Sequence, residues 1–306
     1  MATRALDVIT ILHAFSVLNG ELNTMGWNAK NPQQKQVFAW LEEYHELLAK
    51  ITGLDAKASR FYQELNDFLA ARKFDPMVDP FDPDLGLGVV SVLDKLVKWL
   101  NGPGAKVEIP TAQGRRPGFE LPPNGVNVYE VAGYQGSYLL ELLTKSGDTL
   151  WLFVHNNTGL DGLDMVTLSM DVMSKSRMAP MRNRQFGGRG QYPAFAGAQV
   201  PMLDFDIKPD ISWLLGADTL TETGAYYFVA QAFQQFKMRM DEKGARVKVA
   251  TGIVSKEAFS ADQPSVFVVN RPFYGWWTQE GLDLPMAAFF ADWESLHKPV
   301  GGLEDL

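Results

Sequence analysis

The last quarter of the chain, Phe236 to Pro299, most constrains what it can fold into. It opens with a strand-like run, Phe236-Lys-Met-Arg-Met-Asp-Glu-Lys-Gly244. A long polar segment without a core pattern follows, and then the very apolar run Val266-Phe-Val-Val-Asn-Arg-Pro-Phe-Tyr-Gly-Trp-Trp277. Loops of such length inside compact domains are uncommon and tend to carry function. The pattern predicts two strands with an exposed, functional segment between them.

A chain of 306 residues, 46% of them hydrophobic, can bury one large core or two smaller ones. Its formal charge of −8 argues against a protein that coats nucleic acid or anionic membrane. With no cysteine, disulfides and thiolate chemistry are excluded. No apolar run is long enough to cross a bilayer as a helix. Asp7 and His13 interrupt the apolar N-terminal stretch, so it does not read as a signal peptide. A soluble protein is expected, with a cytoplasmic location favoured. His13, His45, His155 and His297 are scattered without metal-ligand spacing, and no Gly-x-Ser-x-Gly elbow occurs. The chain is therefore not expected to be an enzyme, and no catalytic residue, metal or cofactor is indicated.

The first hundred residues read as helical. Leu6 to Leu18 has helical spacing, and Pro32 to Ile51 is a helix that Asn31 can cap. Ala56 to Phe74 reads as a third helix with Phe61, Leu65, Phe68 and Leu69 inward, and Val89 to Leu100 as a fourth. Between those two, the prolines of Asp75–Asp84 demand an extended connector. The texture then turns to β: Val126–Val131, Ser137–Leu143, Thr149–Val154, Val200–Ile207, Val266–Trp277 and Pro285–Trp293 are strand candidates. Lys145-Ser-Gly-Asp148 suits a hairpin turn, Leu163–Met173 a short helix and Pro209–Leu215 a helical turn.

Several of these pieces, in order, resemble the serpin family. Asp241-Glu-Lys-Gly244 matches the family's reactive-loop hinge, and Phe267-Val-Val-Asn-Arg-Pro272-Phe273 its strand after the loop. Leu284–Trp293 through Pro299 looks like the final strand, and Val200–Ile207 with Ile211-Ser-Trp-Leu-Leu-Gly216 like an upstream strand and turn. The resemblance covers residues 106–299. It implies an α+β fold, with a helical N-terminal part (1–105) packed on a mainly antiparallel, serpin-like β body (106–306), truncated and forming one compact unit. The mostly helical N-terminal region offers no replacement for the main-sheet strands that serpins carry there.

In inhibitory serpins, as the family is understood, a cleaved loop inserts into the main sheet and drags the trapped protease with it. The resemblance makes Glu242, Lys243, Gly244, Ala245, Val247 and Val249 the hinge. It puts the cut near Ala258-Phe259, with Lys256 and Glu257 just before it. Inhibitory hinges favour small residues, whereas Val247 and Val249 are β-branched and Arg246 and Lys248 long and charged. Period-2 alternation puts Ala245, Val247 and Val249 on one face and the basic pair on the other. The leading expectation is a non-inhibitory serpin-like protein binding a protein partner through the segment after Gly244 or through a basic loop. The alternatives are a suicide-type serine or cysteine protease inhibitor and a structural subunit of a larger assembly.

That basic loop holds Lys175, Arg177, Arg182, Arg184 and Arg189 without an acid between them. These are candidates for an anionic partner, although a solvated loop explains them equally simply, and nucleic acid or a polyanion is not the partner expected. Asp75, Asp79, Asp82 and Asp84 lack the bidentate Glu of a calcium loop. Trp276-Trp277, Phe289-Phe290 and Trp293 are expected to form core beneath the loop.

Overall fold

Asp7 starts the first helix. In the computed structural model, which describes residues 2–176, 181–183, 192–193, 195–245 and 265–305, strand β1 (Arg4–Asp7) runs into helix α1 (Val8–Leu22). There the Asp7 carboxylate accepts the Thr10 N–H at 2.9 Å. Helix α1 ends at Asn23, which takes the left-handed conformation asparagine tolerates, and β2 (Thr24–Asn28) follows. The expected Asn31 cap forms: its side chain accepts the Gln34 N–H at 2.8 Å, with Pro32 opening α2 (Pro32–Leu48).

Of the two stretches that read as helix, Ala56–Phe74 begins as strand and holds a shorter helix, and Val89–Leu100 is largely strand. Leu54–Ser59 is β3 and Gly88–Leu93 is β4, antiparallel along their whole lengths from Leu54↔Leu93 to Ser59↔Gly88. Helix α3 is only Tyr62–Ala70, and Phe61, expected inward, stands exposed just before it. Val97–Lys98 forms β5. Val89, Val90 and Val92 lose side-chain freedom in a helix and fit a pleated surface. Val90 and Val92 join Leu65, Leu69 and Val78 in one buried cluster. Gly88 permits this, since a Cβ there would lie 2.4 Å from Leu65 Cδ1. The N-terminal hundred residues thus supply strands that their helical periodicity concealed.

The proline-rich connector is extended as expected, and side-chain amides substitute for a neighbouring strand. Asn66 accepts the Val78 N–H and donates to the Val78 carbonyl, both at 3.0 Å. Gln231 does the same for Asp79 at 3.0 and 3.1 Å, which satisfies backbone that Pro76 and Pro80 keep out of a ladder.

Next comes a hairpin that the sequence hid, β6 (Ala105–Thr111) with β7 (Gly114–Leu121). Pro110 and Pro117 mask its periodicity; Pro110 lies on β6, the edge strand of its sheet, where proline is tolerated, and Pro117 lies on β7 just before its pairing with Ala198–Pro201 begins at Gly118. Strands β8 (Val126–Glu130), β9 (Tyr138–Leu143) and β10 (Thr149–Val154) match expectation, as does α4 (Leu163–Ser176). The two-residue strands β11 (Arg182–Asn183) and β12 (Tyr192–Pro193) pair with each other. Val200–Ile207, expected as one strand, belongs to two: β13 (Ala198–Pro201) and β14 (Leu203–Ile207) lie in different sheets. The chain changes sheet after Pro201, where the Met202 N–H goes to the Pro117 carbonyl at 2.9 Å. The remainder is a 3-10 turn at Ser212–Leu214, β15 (Asp218–Thr221), β16 (Tyr226–Phe228), β17 (Phe236–Asp241) and β18 (Gly244–Ala245). Past residues 246–264 come β19 (Phe267–Val268), β20 (Phe273–Thr278) and β21 (Ala287–Ala291).

These elements form two compact units: Met1–Arg4, Leu96–Asp206 and Lys237–Leu306, and Ala5–Lys95 with Ile207–Phe236. In the first, β21-β20-β10-β9-β8 pair successively, and β19-β13-β7-β6 form a second sheet. Its core is aromatic: Phe153, Phe273, Trp276, Phe289 and Phe290 are fully buried, and Trp277 nearly so. Trp293 is half-buried. Gly275 sits opposite Phe289 in the ladder, and its missing side chain leaves room for that ring. In the second unit Phe15 of α1 meets Phe38 of α2 (5.1 Å) and Trp27 of β2 (4.8 Å) edge-on.

Candidate functional site

The residues read as a hinge sit at the end of β17, whose inward side chains Phe236, Met238 and Met240 alternate with half-buried Lys237, Arg239 and Asp241. The chain turns at Glu242-Lys243, where the Asp241 carboxylate accepts the Lys243 N–H at 2.8 Å. Gly244 and Ala245 then return antiparallel to β17, with Met240↔Ala245 and Asp241↔Gly244 opposite each other. On their other side they pair with β5, Gly244↔Lys98 and Ala245↔Val97, giving the order β14-β17-β18-β5. Both neighbours of β18 are antiparallel to it, so β17 and β5 run parallel with β18 seated between them.

Four contacts hold this corner. Trp99, fully buried and stacked on Phe119 at 5.5 Å, donates its indole N–H to the Asp241 carbonyl at 3.0 Å. The Gly104 N–H reaches the Glu242 carbonyl at 2.6 Å. The nearly buried Glu242 carboxylate meets Lys106 at 3.1 Å. Gly244 lies so close to β5 that a Cβ would stand 2.2 Å from the Val97 carbonyl oxygen. Burial pushes the Asp241 carboxyl above its usual range, against the lowering effect of the Lys243 N–H, and the Glu242 charge adds to the rise.

The other face of β17 carries a row of ion pairs. Arg239 meets Asp204 at 3.1 Å and Lys237 meets Asp206 at 3.2 Å, both acids from β14. Arg239 also donates to the Gly302 carbonyl at 3.0 Å, and Asp204 accepts the Val300 N–H at 2.8 Å, so the C-terminal segment is tied to this strand. Sequence reasoning missed these acids, because only the pairing of β14 with β17 brings them beside the basic residues.

Of the proposed hinge, Glu242, Lys243, Gly244 and Ala245 lie together in this corner; Val247 and Val249 fall outside the described residues. So do Lys256, Glu257, Ala258 and Phe259, and Arg177, Arg184 and Arg189 of the basic loop. Lys175 is engaged, 2.7 Å from Asp171 and above the Tyr134 ring at 5.1 Å. The Lys175 and Tyr134 hydrogen bonds hold the Asp171 carboxyl below its usual range. Arg182 belongs to the short strand β11. In the proline connector, Asp75 pairs with Lys208 at 2.7 Å and Asp82 accepts the Asp84 N–H at 2.9 Å. No group of three metal-ligating side chains is gathered among the described residues.

One further pair was legible in the hairpin register. Ser137 Oγ and His155 Nδ1 lie 2.6 Å apart at the open end of β9 and β10. His155 stacks on Phe153 at 5.2 Å and meets Tyr134 edge-on at 5.4 Å, and burial lowers its pKa. Ser137 is only 2% exposed, so its hydroxyl is sealed from any substrate. The pair closes the strand ends.

The smaller unit carries an open cleft of about 370 Å³ between Met77–Asp79, Lys208–Ile211 and Ala232–Gln234.

No family model and no curated protein matches the chain. Its resemblance to solved structures is nevertheless consistent. Serpin48 of the insect Tenebrio molitor superposes with a TM-score of 0.60 at 14% identity, over 95% of this chain and 92% of that one. Thyroxine-binding globulin, in complex with thyroxine, gives 0.60 at 10% identity over 94% and 92%. Human glycosylated kallistatin gives 0.58 at 13% over 97% and 92%. At such identities the likeness establishes the fold, and that fold is the serpin fold. It takes in the N-terminal hundred residues, beyond the reach of the sequence motifs. No helix among the described residues is long and apolar enough to cross a membrane.

Proposed function

We propose that this chain is a non-inhibitory protein on a serpin fold, which binds a protein partner through the segment that follows Gly244. The observation that supports this is the register of β18 on β17. Trapping requires the cleaved segment to continue as a strand in that register. Arg246 would then face Arg239, and Lys248 would face Lys237. Like charges directly opposite one another in a ladder are destabilising, and the acids nearest to Arg239 and Lys237, Asp204 and Asp206, are already engaged. Slow, opposed insertion favours a segment that stays available for binding.

The inhibitor reading keeps one specific support. The same register would lay Val247 over Met238 and Val249 over Phe236, both core-facing. Incubation with trypsin-, elastase- and chymotrypsin-type proteases separates the two. Cleavage within residues 246–264 without an SDS-stable complex is the expected result; a covalent complex with any of the three would overturn the non-inhibitory reading.

A further inference from the structure

Among the described residues strand β16 is an edge: in the order β16-β15-β2 it has one neighbour. The Val229 N–H reaches the Ala217 carbonyl at 2.8 Å, and the Thr221 N–H reaches the Ala225 carbonyl at 3.0 Å. Antiparallel pairs alternate between bonded and non-bonded. Thr219↔Tyr227 is therefore bonded, while Asp218↔Phe228 and Leu220↔Tyr226 are not. It follows that the backbone N–H and C=O groups of Tyr226 and Phe228 point away from β15, out of the sheet.

Apart from being kept short, as β16 is at three residues, natural edges are usually blunted by lysine, proline or a bulge. This one carries none of them: residues 223–231 read Thr-Gly-Ala-Tyr-Tyr-Phe-Val-Ala-Gln, without a charge or a proline. Instead it presents Tyr226 at 62% exposure, Phe228 at 59% and, beside them on β15, Leu220 at 46%. The two rings are 6.4 Å apart. Asp218, beside them on β15, is satisfied by Lys30, Asn28 and the Tyr226 hydroxyl.

We propose that this edge binds a second copy of the chain, the two β16 strands running antiparallel about a twofold axis at Tyr227. The edge is complementary to itself in that register. Tyr226 falls opposite Phe228 of the partner subunit, and these are the two residues whose backbone groups are free to exchange bonds. The uncharged stretch from 223 to 231 places no like charges opposite each other. Two three-stranded sheets become one continuous sheet with a row of aromatic rings along one face. A twofold contact needs only this single self-complementary patch. Strand addition of this kind draws its affinity from main-chain bonds and its register from the side chains.

The test is sedimentation equilibrium of the full chain over a micromolar concentration series, with thermal unfolding of each variant as the check on folding. Wild type is expected to pass from one-chain to two-chain mass. The Tyr226→Lys/Phe228→Lys variant puts lysine opposite lysine twice, and its dissociation constant is expected to rise roughly tenfold or more. The Tyr226→Lys/Phe228→Glu variant puts lysine opposite glutamate and is expected to dimerise again. Wild type that stays monomeric throughout, as it would if the edge served a peptide of another protein, overturns the proposal. A dimer indifferent to both variants, or a Lys/Glu variant that remains monomeric, overturns it equally.

Discussion

Gly244 and Val97 touch backbone to backbone: a Cβ on the glycine would stand 2.2 Å from the valine carbonyl oxygen. This contact seats the first residues after the hinge turn between β17 and β5. Gly244→Ala forces the strands apart where neither side is a flexible side chain. A loss of about 1–3 kcal/mol is expected, together with faster proteolysis after residue 243 at low protease concentration. Unchanged stability and cleavage would show that the corner yields freely.

The opposition of basic residues can be removed directly. In Arg246→Thr/Lys248→Thr, the residues that would face Arg239 and Lys237 carry no charge. After a single cut within residues 246–264, calorimetry should show this variant's melting temperature rising several degrees further than that of cut wild type. Equal responses would mean that charge does not govern insertion.

Asp7 is buried, and burial raises its carboxyl from 3.8 to about 7 despite the Thr10 hydrogen bonds. A folded-state pKa above the unfolded one means that stability is fully present below about pH 4 and is lost as pH rises through about 7. Asp7→Asn keeps an acceptor for the Thr10 N–H and has no charge to bury. Its stability advantage over wild type is expected to grow from pH 4 to 7 and then level off, at up to about 1.4 kcal/mol per pH unit. A pH-independent difference would contradict the assignment. Measuring the difference cancels the contribution of carboxylates with lowered pKa such as Asp171 and Asp218.

Gly275 faces Phe289, whose ring would meet a new Cβ at 2.2 Å. That ring also packs against Phe205 and Phe273, which limits its retreat. Gly275→Ala is expected to destabilise by about 1–3 kcal/mol, read from denaturant midpoints. A neutral result would mean that the aromatic core repacks.

What the chain determined by itself was whatever depends on near neighbours. Asn31-Pro32 caps and opens a helix through bonds a few residues long. The turn at Lys145–Asp148 joins two apolar strands through Gly147, which takes the positive φ required. The Asp241–Gly244 string is likewise read from adjacent residues, and so is the serpin resemblance built on it. What only the tertiary structure decided depends on partners distant in sequence. Leu54–Ser59 and Gly88–Leu93 are strands because each meets the other across about 30 to 40 positions of sequence, and alone their residues allow a helical reading. Pro110 and Pro117 hide a hairpin that pairing nevertheless completes. Seating Gly244 between Asp241 and Lys98, and bringing Asp204 to Arg239, required the sheet itself, because backbone bonds and ion pairs between remote segments leave no periodicity in the chain.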